Sequence, residues 1–386
     1  MIIIKEDKNF KKALRAVRGT TMVSYGVVAH IVKRCALITV GLAIILYFAT
    51  GSIKQPVFFQ FPYKEELIIK QGYDIVARHV DSKRSITEHV VFAVQKNDVS
   101  PEQLRRPGIL ILRPKARATI LMCHGFGCDK RDIAFLRIMF PEYNIMTFDF
   151  RAHGAYCEGQ YCTLGKEEAF DVVGAAQFLK QYDKTKNQPV MLYGFSMGAV
   201  AAIEAQAKNP SLFKGMVLDC PFDSVQSLIR RGLDQLKITV FGYEIPIPGK
   251  SLLEKGAFNQ YTQPLVQALL KIFAGFDAKR TSVAAHHVHP EESIKKITVP
   301  CFFIHCKNDE KVPVAAIKTV FNNAGTDHKQ LWITGGRRHF DSFFHEPDRY
   351  IRKVQKFFKR VLAQAYTELS KDKVIDDSDH PRSDLF

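Results

Sequence analysis

With 386 residues, 46% of them hydrophobic, the chain can bury a substantial core; its length would allow two average domains, yet α/β folds often use roughly 250 residues or more as one. The formal net charge is +16, but nine basic and two acidic groups among the first 56 residues hold +7 of it. No recognition-helix, zinc-finger or aromatic RNA-binding signature accompanies the rest, so nucleic-acid binding is set aside.

In chain order, residues 1–34 form a basic segment carrying Lys5, Lys8, Lys11, Lys12, Arg15, Arg18, Lys33 and Arg34. Residues 35–53 are an uncharged, mostly apolar run of 19, close to the about 20 needed to cross a bilayer. The positive-inside rule then leaves the N-terminus cytoplasmic and the following domain on the other side. Cleavage near Ala49 and Gly51, as in a signal peptide, is the alternative, although the basic leader is long for one. The run Met22 to Val32 is too short to span and suits an interfacial helix.

Tyr73 to Ser82 and Thr87 to Gln95 read as early antiparallel strands, after which strand and helix candidates alternate as in a largely parallel sheet. Ala118 to Cys123 is a strand running into His124-Gly125-Phe126-Gly127, where glycines let main-chain N–H groups turn toward a pocket. Pro189 to Tyr193 is a short apolar strand, and Ala199 to Ala207 are strong helix formers that stop at Pro210. Between them stands Gly194-Phe195-Ser196-Met197-Gly198, a G-x-S-x-G pentapeptide in the strand–turn–helix context that gives it meaning. Such a turn exposes the Ser196 hydroxyl at the end of the sheet.

An acyl-transfer serine needs a base, a carboxylate that orients the base and donors for the oxyanion. The amides of Phe126 and Met197 are the expected donors, with His124 read as a loop-positioning residue. Val299 to Cys306 is a strand that delivers Asp309 at its C-terminal end, where α/β sites assemble. Gln330 to Thr334 opens into Gly335-Gly336-Arg337-Arg338-His339, a loop able to carry an imidazole over the sheet. His339 is the expected base, Asp309 the expected acid, and His345 a second choice for base. The order Ser196, Asp309, His339 differs from that of the chymotrypsin and subtilisin triads.

On these residues the chain resembles the α/β-hydrolase superfamily, in its lysophospholipase and serine-aminopeptidase-like branch, over residues 70 to 365. Phe148-Asp149-Phe150-Arg151-Ala152-His153-Gly154 is similar to that branch's D-x-R-G-H-G, and Thr163, Gly165, Glu168 and Asp171 follow into a helix. Pro290 to Ile297 resembles the branch's return from cap to core. Two departures stand out: Ala152 replaces a usual glycine, and Cys306 replaces the glycine of H-G-x-x-D-x-x-V-P. The resemblance implies a mostly parallel eight-stranded sheet with helices on both faces and a helical lid insert. The hydrolase domain would occupy residues 54–369, with the insert at about 222–289 and a disordered tail at 370–386.

Within that insert, Ser224 to Lys237 reads as an amphipathic helix, Ile238 to Gly249 as a Pro/Gly-rich connector and Leu252 to Phe276 as further helix. A lid with spare apolar surface favours acyl-chain substrates. His286, His287 and His289 read as a surface connector rather than a metal site, and Arg337 and Arg338 as solvated. The cysteine spacing is not that of common zinc sites. Cys301 and Cys306 point to opposite faces of their strand and should not pair, whereas Cys157 and Cys162 are close enough in sequence to bridge in an oxidising compartment, with buried or free thiols as the default. The expected protein is therefore a membrane-tethered serine hydrolase of carboxylic esters that needs no metal or cofactor. An exopeptidase or amidase, and a non-catalytic binding protein on the same fold, stay open as alternatives.

Overall fold

The computed structural model describes residues 85–154, 159–235, 237–240, 243–246, 250–259, 261–262 and 283–376. The basic leader, the apolar segments 22–32 and 35–53, the strand expected at 73–82 and Cys157 lie outside these residues. Among the described residues no helix is long and apolar enough to cross a membrane.

Eight strands build one sheet: β1 (Ile86–Gln95), β2 (Gln103–Leu112), β3 (Thr119–Cys123), β4 (Asn144–Phe148), β5 (Val190–Phe195), β6 (Met216–Asp219), β9 (Cys301–Cys306) and β10 (Lys329–Thr334). Their order is β1-β2-β4-β3-β5-β6-β9-β10. β2 is antiparallel to both its neighbours and the remaining pairs are parallel. The strand β2 is not among the strands expected from the sequence, where Arg105, Arg106 and Pro107 break the apolar pattern. The sheet tolerates Pro107 there: its carbonyl accepts the Asp149 N–H at 3.0 Å, and as a proline it has no N–H to satisfy.

The central strands are apolar on both faces because both are covered. Leu121, Leu192 and Phe303 face one core, with helices α1 (Glu168–Gln181), α2 (Met197–Lys208) and α6 (Val314–Asn323). Their neighbours Met122, Met191, Tyr193, Phe302 and Ile304 face the other, with a 3-10 helix at Ala134–Met139, α7 (Asp341–His345) and α8 (Pro347–Asp376). Cys301 lies in the first core and Cys306 in the second, both as free thiols, as the period of two requires. Helix α8 continues to Asp376, so the expected boundary of a disordered tail at residue 370 falls inside a helix.

In the insert, α3 (Val225–Gln235) and α4 (Lys250–Ala257) are helical as expected, tied by Arg230 and Gln226 to Glu254. α4 ends well short of Phe276, and residues 263–282 lie outside the described set. The connector is not irregular: Lys237–Val240 (β7) pairs antiparallel with Tyr243–Pro246 (β8) as a separate two-stranded sheet. The β-branched run Ile238-Thr239-Val240 favours that extended backbone over the loop suggested by the later Pro and Gly. The chain then returns through the short α5 (Pro290–Ser293). Cores meet at the base of the insert, where Val225 and Leu228 of α3 pack with Val200 of α2, Val312 and Ala316.

Candidate active site

Ser196 joins β5 to α2 with φ 49 and ψ −117, a left-handed conformation that side chains other than glycine rarely adopt. Its neighbours permit the turn by lacking a Cβ. One on Gly194 would lie 2.7 Å from Ala199 Cα, and one on Gly198 would lie 2.4 Å from the Cys123 and His124 carbonyl oxygens. The turn is held by the Ser196 N–H, which donates to the Asp219 carbonyl on β6 at 2.8 Å. A serine at a helix N-cap usually turns its oxygen onto the first-turn amides; this one makes no such bond. Its Oγ instead lies 2.8 Å from His339 Nε2.

His339 Nδ1 donates to Asp309 Oδ2 at 2.7 Å, so the three expected side chains form one continuous relay. The other Asp309 oxygen accepts the main-chain N–H groups of Lys311 and Val312, both at 2.9 Å. Burial pushes the Asp309 carboxyl up, but His339, His305 and the Val312 N–H outweigh it and hold it below the usual carboxylate range. The cysteine in place of the usual glycine leaves this loop intact. Cys306 needs no left-handed backbone, and its Sγ is buried 3.1 Å from Ser342 Oγ. Ala152, at the other departure, does take φ 59 where a glycine would be unstrained. His345 is not at this site: its ring packs against Gly335.

Phe126 and Met197 lie on the two segments expected to supply oxyanion donors. The Met197 N–H opens α2, whose N-terminus carries partial positive charge. A Cβ on Gly125 would stand 2.8 Å from the Phe195 ring and 3.6 Å from Ser196 Cβ, so the stretch bearing Phe126 runs against the serine turn. His124 holds that stretch. Its Nδ1 donates to the Gly125 carbonyl at 2.8 Å, and its Nε2 accepts the Phe150 N–H at 3.1 Å. Burial, reinforced by His153, keeps this imidazole well below the usual histidine range, which suits a neutral ring using both nitrogens.

Further back, Arg151 ties the loop after β4 to α1 and to the end of β1. Its guanidinium donates to Asp171, Glu167 and the Gln95 and Lys96 carbonyls. Glu168 accepts from Thr163 N, Thr163 Oγ1 and Gly165 N within 2.8 Å, which fixes the loop leading to α1. Cys162 is a free, buried thiol whose Sγ lies 3.4 Å from Met197 Sδ.

A second buried polar group is not anticipated above. Asp219 Oδ2 accepts from Tyr350 Oη at 2.6 Å and from Tyr193 Oη at 3.3 Å. Burial pushes its carboxyl up to about 6 despite those bonds. Only one local signal existed, a carboxylate ending the apolar run Met216-Val217-Leu218; its partners are far off in the chain. His305, beneath Asp309, donates from Nε2 to the Val312 carbonyl at 2.8 Å and braces the same loop.

Residues 114–246 match the serine aminopeptidase S33 family, a stretch that carries Ser196 but neither Asp309 nor His339. The chain is 26% identical over 249 residues to the uncharacterized protein YqkD of Bacillus subtilis, covering 63% of this chain and 72% of that protein. The esterase Pf2001 of Pyrococcus furiosus superposes in one crystal form with a TM-score of 0.51 at 21% identity, covering 72% of this chain and 94% of that one. A second crystal form gives 0.53 at 20%, covering 72% and 92%. The chain has the α/β-hydrolase fold.

Proposed function

We propose that this α/β-hydrolase fold carries a serine hydrolase that cleaves carboxylic esters through an acyl-enzyme on Ser196. The observation that carries the reading is the continuous pair of hydrogen bonds, 2.8 Å from Ser196 Oγ to His339 Nε2 and 2.7 Å from His339 Nδ1 to Asp309 Oδ2. His339 takes the hydroxyl proton as Oγ attacks the ester carbon, and Asp309 stabilises the imidazolium that results. The amides of Phe126 and Met197 receive the oxyanion. His339 then protonates the leaving alkoxide, and water, activated by the same base, releases the acid. No step calls on a metal or organic cofactor.

A fluorophosphonate probe tests the nucleophile. The folded chain should label at Ser196, and Ser196→Ala should lose labelling and on the order of 10⁴-fold or more in ester turnover. A folded protein that does not label refutes the proposal. The insert favours esters with an apolar acyl portion, and the resemblance of the Pyrococcus furiosus esterase agrees in chemistry. The match to the serine aminopeptidase family favours a second reading, amide cleavage by the same relay. A screen of p-nitrophenyl esters against aminoacyl amides separates the two.

The reading includes a tether at residues 35–53, with the hydrolase domain across the membrane from the basic leader. In sealed vesicles the domain should resist protease added on the cytoplasmic side; digestion from that side reverses the orientation.

A further inference from the structure

Cys220 follows β6 with φ 53, a left-handed position held by a side chain other than glycine, and is fully buried. One ligand atom each from Cys220, Asp309 and His339 lie within 4.8 Å of one another. A thiol, a carboxylate and an imidazole are a mixed set whose chemistry selects among metals. Zinc accepts S, N and O donors tetrahedrally, with ligand atoms roughly 3.3–3.8 Å apart, so small side-chain movements close the set around one ion. Magnesium and calcium want six or more oxygens, which this site does not offer. Charge also balances: a thiolate and a carboxylate neutralise a divalent cation, so the ion can be buried without a net charge.

From this geometry we propose that Cys220, Asp309 and His339 form an inhibitory site for Zn²⁺ or a similarly thiophilic divalent cation. The ion enters past His339, whose side chain is 12% exposed, while the Asp309 side chain is fully buried. Asp309 is already oriented for it by the Lys311 and Val312 amides, the kind of outer support that ligating carboxylates need. Binding takes the lone pair of the ring nitrogen facing Asp309, Nδ1. The proton formerly on Nδ1 moves to Nε2, which then donates to Ser196 Oγ and can no longer accept its proton. The Cys220 thiol loses its proton to solvent as the thiolate binds, so one proton is released per ion. The relay is thereby blocked without any change to Ser196 itself.

The loss of turnover rests on the serine-hydrolase reading; metal binding does not, and the test reads the two separately. Co²⁺ titration should give a thiolate-to-cobalt charge-transfer band at one equivalent in the wild type and in Ser196→Ala, and none in Cys220→Ala. Zn²⁺ should inhibit wild-type ester turnover, reversibly on chelation, and Mg²⁺ should not. Cys220→Ala should keep its basal turnover and raise the inhibition constant by at least about tenfold, the lower bound for losing even an outer-sphere partner. Absence of the band in the wild type, or equal inhibition of the wild type and Cys220→Ala, overturns the proposal. A band without measurable hydrolysis in any variant leaves the metal site standing and removes the hydrolase reading instead.

Discussion

Asp219 ends β6 and Asp309 lies in the loop after its partner strand β9, and their surroundings move them in opposite directions. Asp309 gains hydrogen bonds and a neighbouring imidazole on folding, so its stabilising contribution is present above the unfolded carboxylate value and is lost as pH falls below it. Asp219 is raised to about 6 by burial. Below an ordinary carboxylate value both states hold its proton; as pH rises toward 6 the unfolded chain ionises first, and stability falls. The full effect is on the order of 3 kcal/mol by pH 7. Denaturant unfolding of Asp219→Asn between pH 4 and 7 should lack that decline, while its acid limb, set by Asp309 and other carboxylates, stays. An unchanged slope would mean that the carboxyl ionises normally in the fold.

Among the elements, the turn before β3 is under avoidable strain. The Ala116 N–H donates to the Arg113 carbonyl at 3.3 Å, with Pro114 in the second position and Lys115 in the third at φ 59. That third position favours glycine, and Lys115 is exposed, so it has no packing to lose. Lys115→Gly should raise unfolding free energy by about 0.5–1 kcal/mol, since relief of the left-handed cost exceeds the entropy added to the unfolded chain. Thermal unfolding would show it as an upward shift in Tm. Ala152, similarly left-handed, is a poorer target because it is buried and its methyl group packs in the core.

For the whole molecule, α8 closes one face of the sheet. Tyr350, Val354, Phe357, Phe358, Val361 and Leu362 all join the core against the strands, and Phe358 is fully buried beside Phe140. Phe358→Ala should cost about 3–5 kcal/mol, checked by urea unfolding, with Ser196 labelling retained under native conditions. Legibility followed range. Ser196, Asp309 and His339 could be read because each lies within five residues of the end of an apolar strand and two stand near glycines, signals carried within about ten residues. β2 was hidden by Pro107 and two arginines whose tolerance depends on neighbours in the sheet. β7 and β8 were hidden by the Pro and Gly around them. The Asp219 pair with Tyr350 spans 131 residues, and no local pattern announces such a bond.

The neck of the insert has a consequence of its own. β6 and β9 are direct neighbours, and between them the chain leaves and returns through one gate, where Val225 N–H meets the Val288 carbonyl at 3.1 Å and Glu291 N–H meets the Asp223 carbonyl at 3.4 Å. The described residues beyond it also hold on to the core: Val225 and Leu228 pack with Val200, Val312 and Ala316, and the Ala284 N–H donates to the Cys162 carbonyl at 2.8 Å. Ser196, Asp309 and His339 all lie outside residues 225–288, so a substitution within that stretch leaves every side chain of the relay as it is.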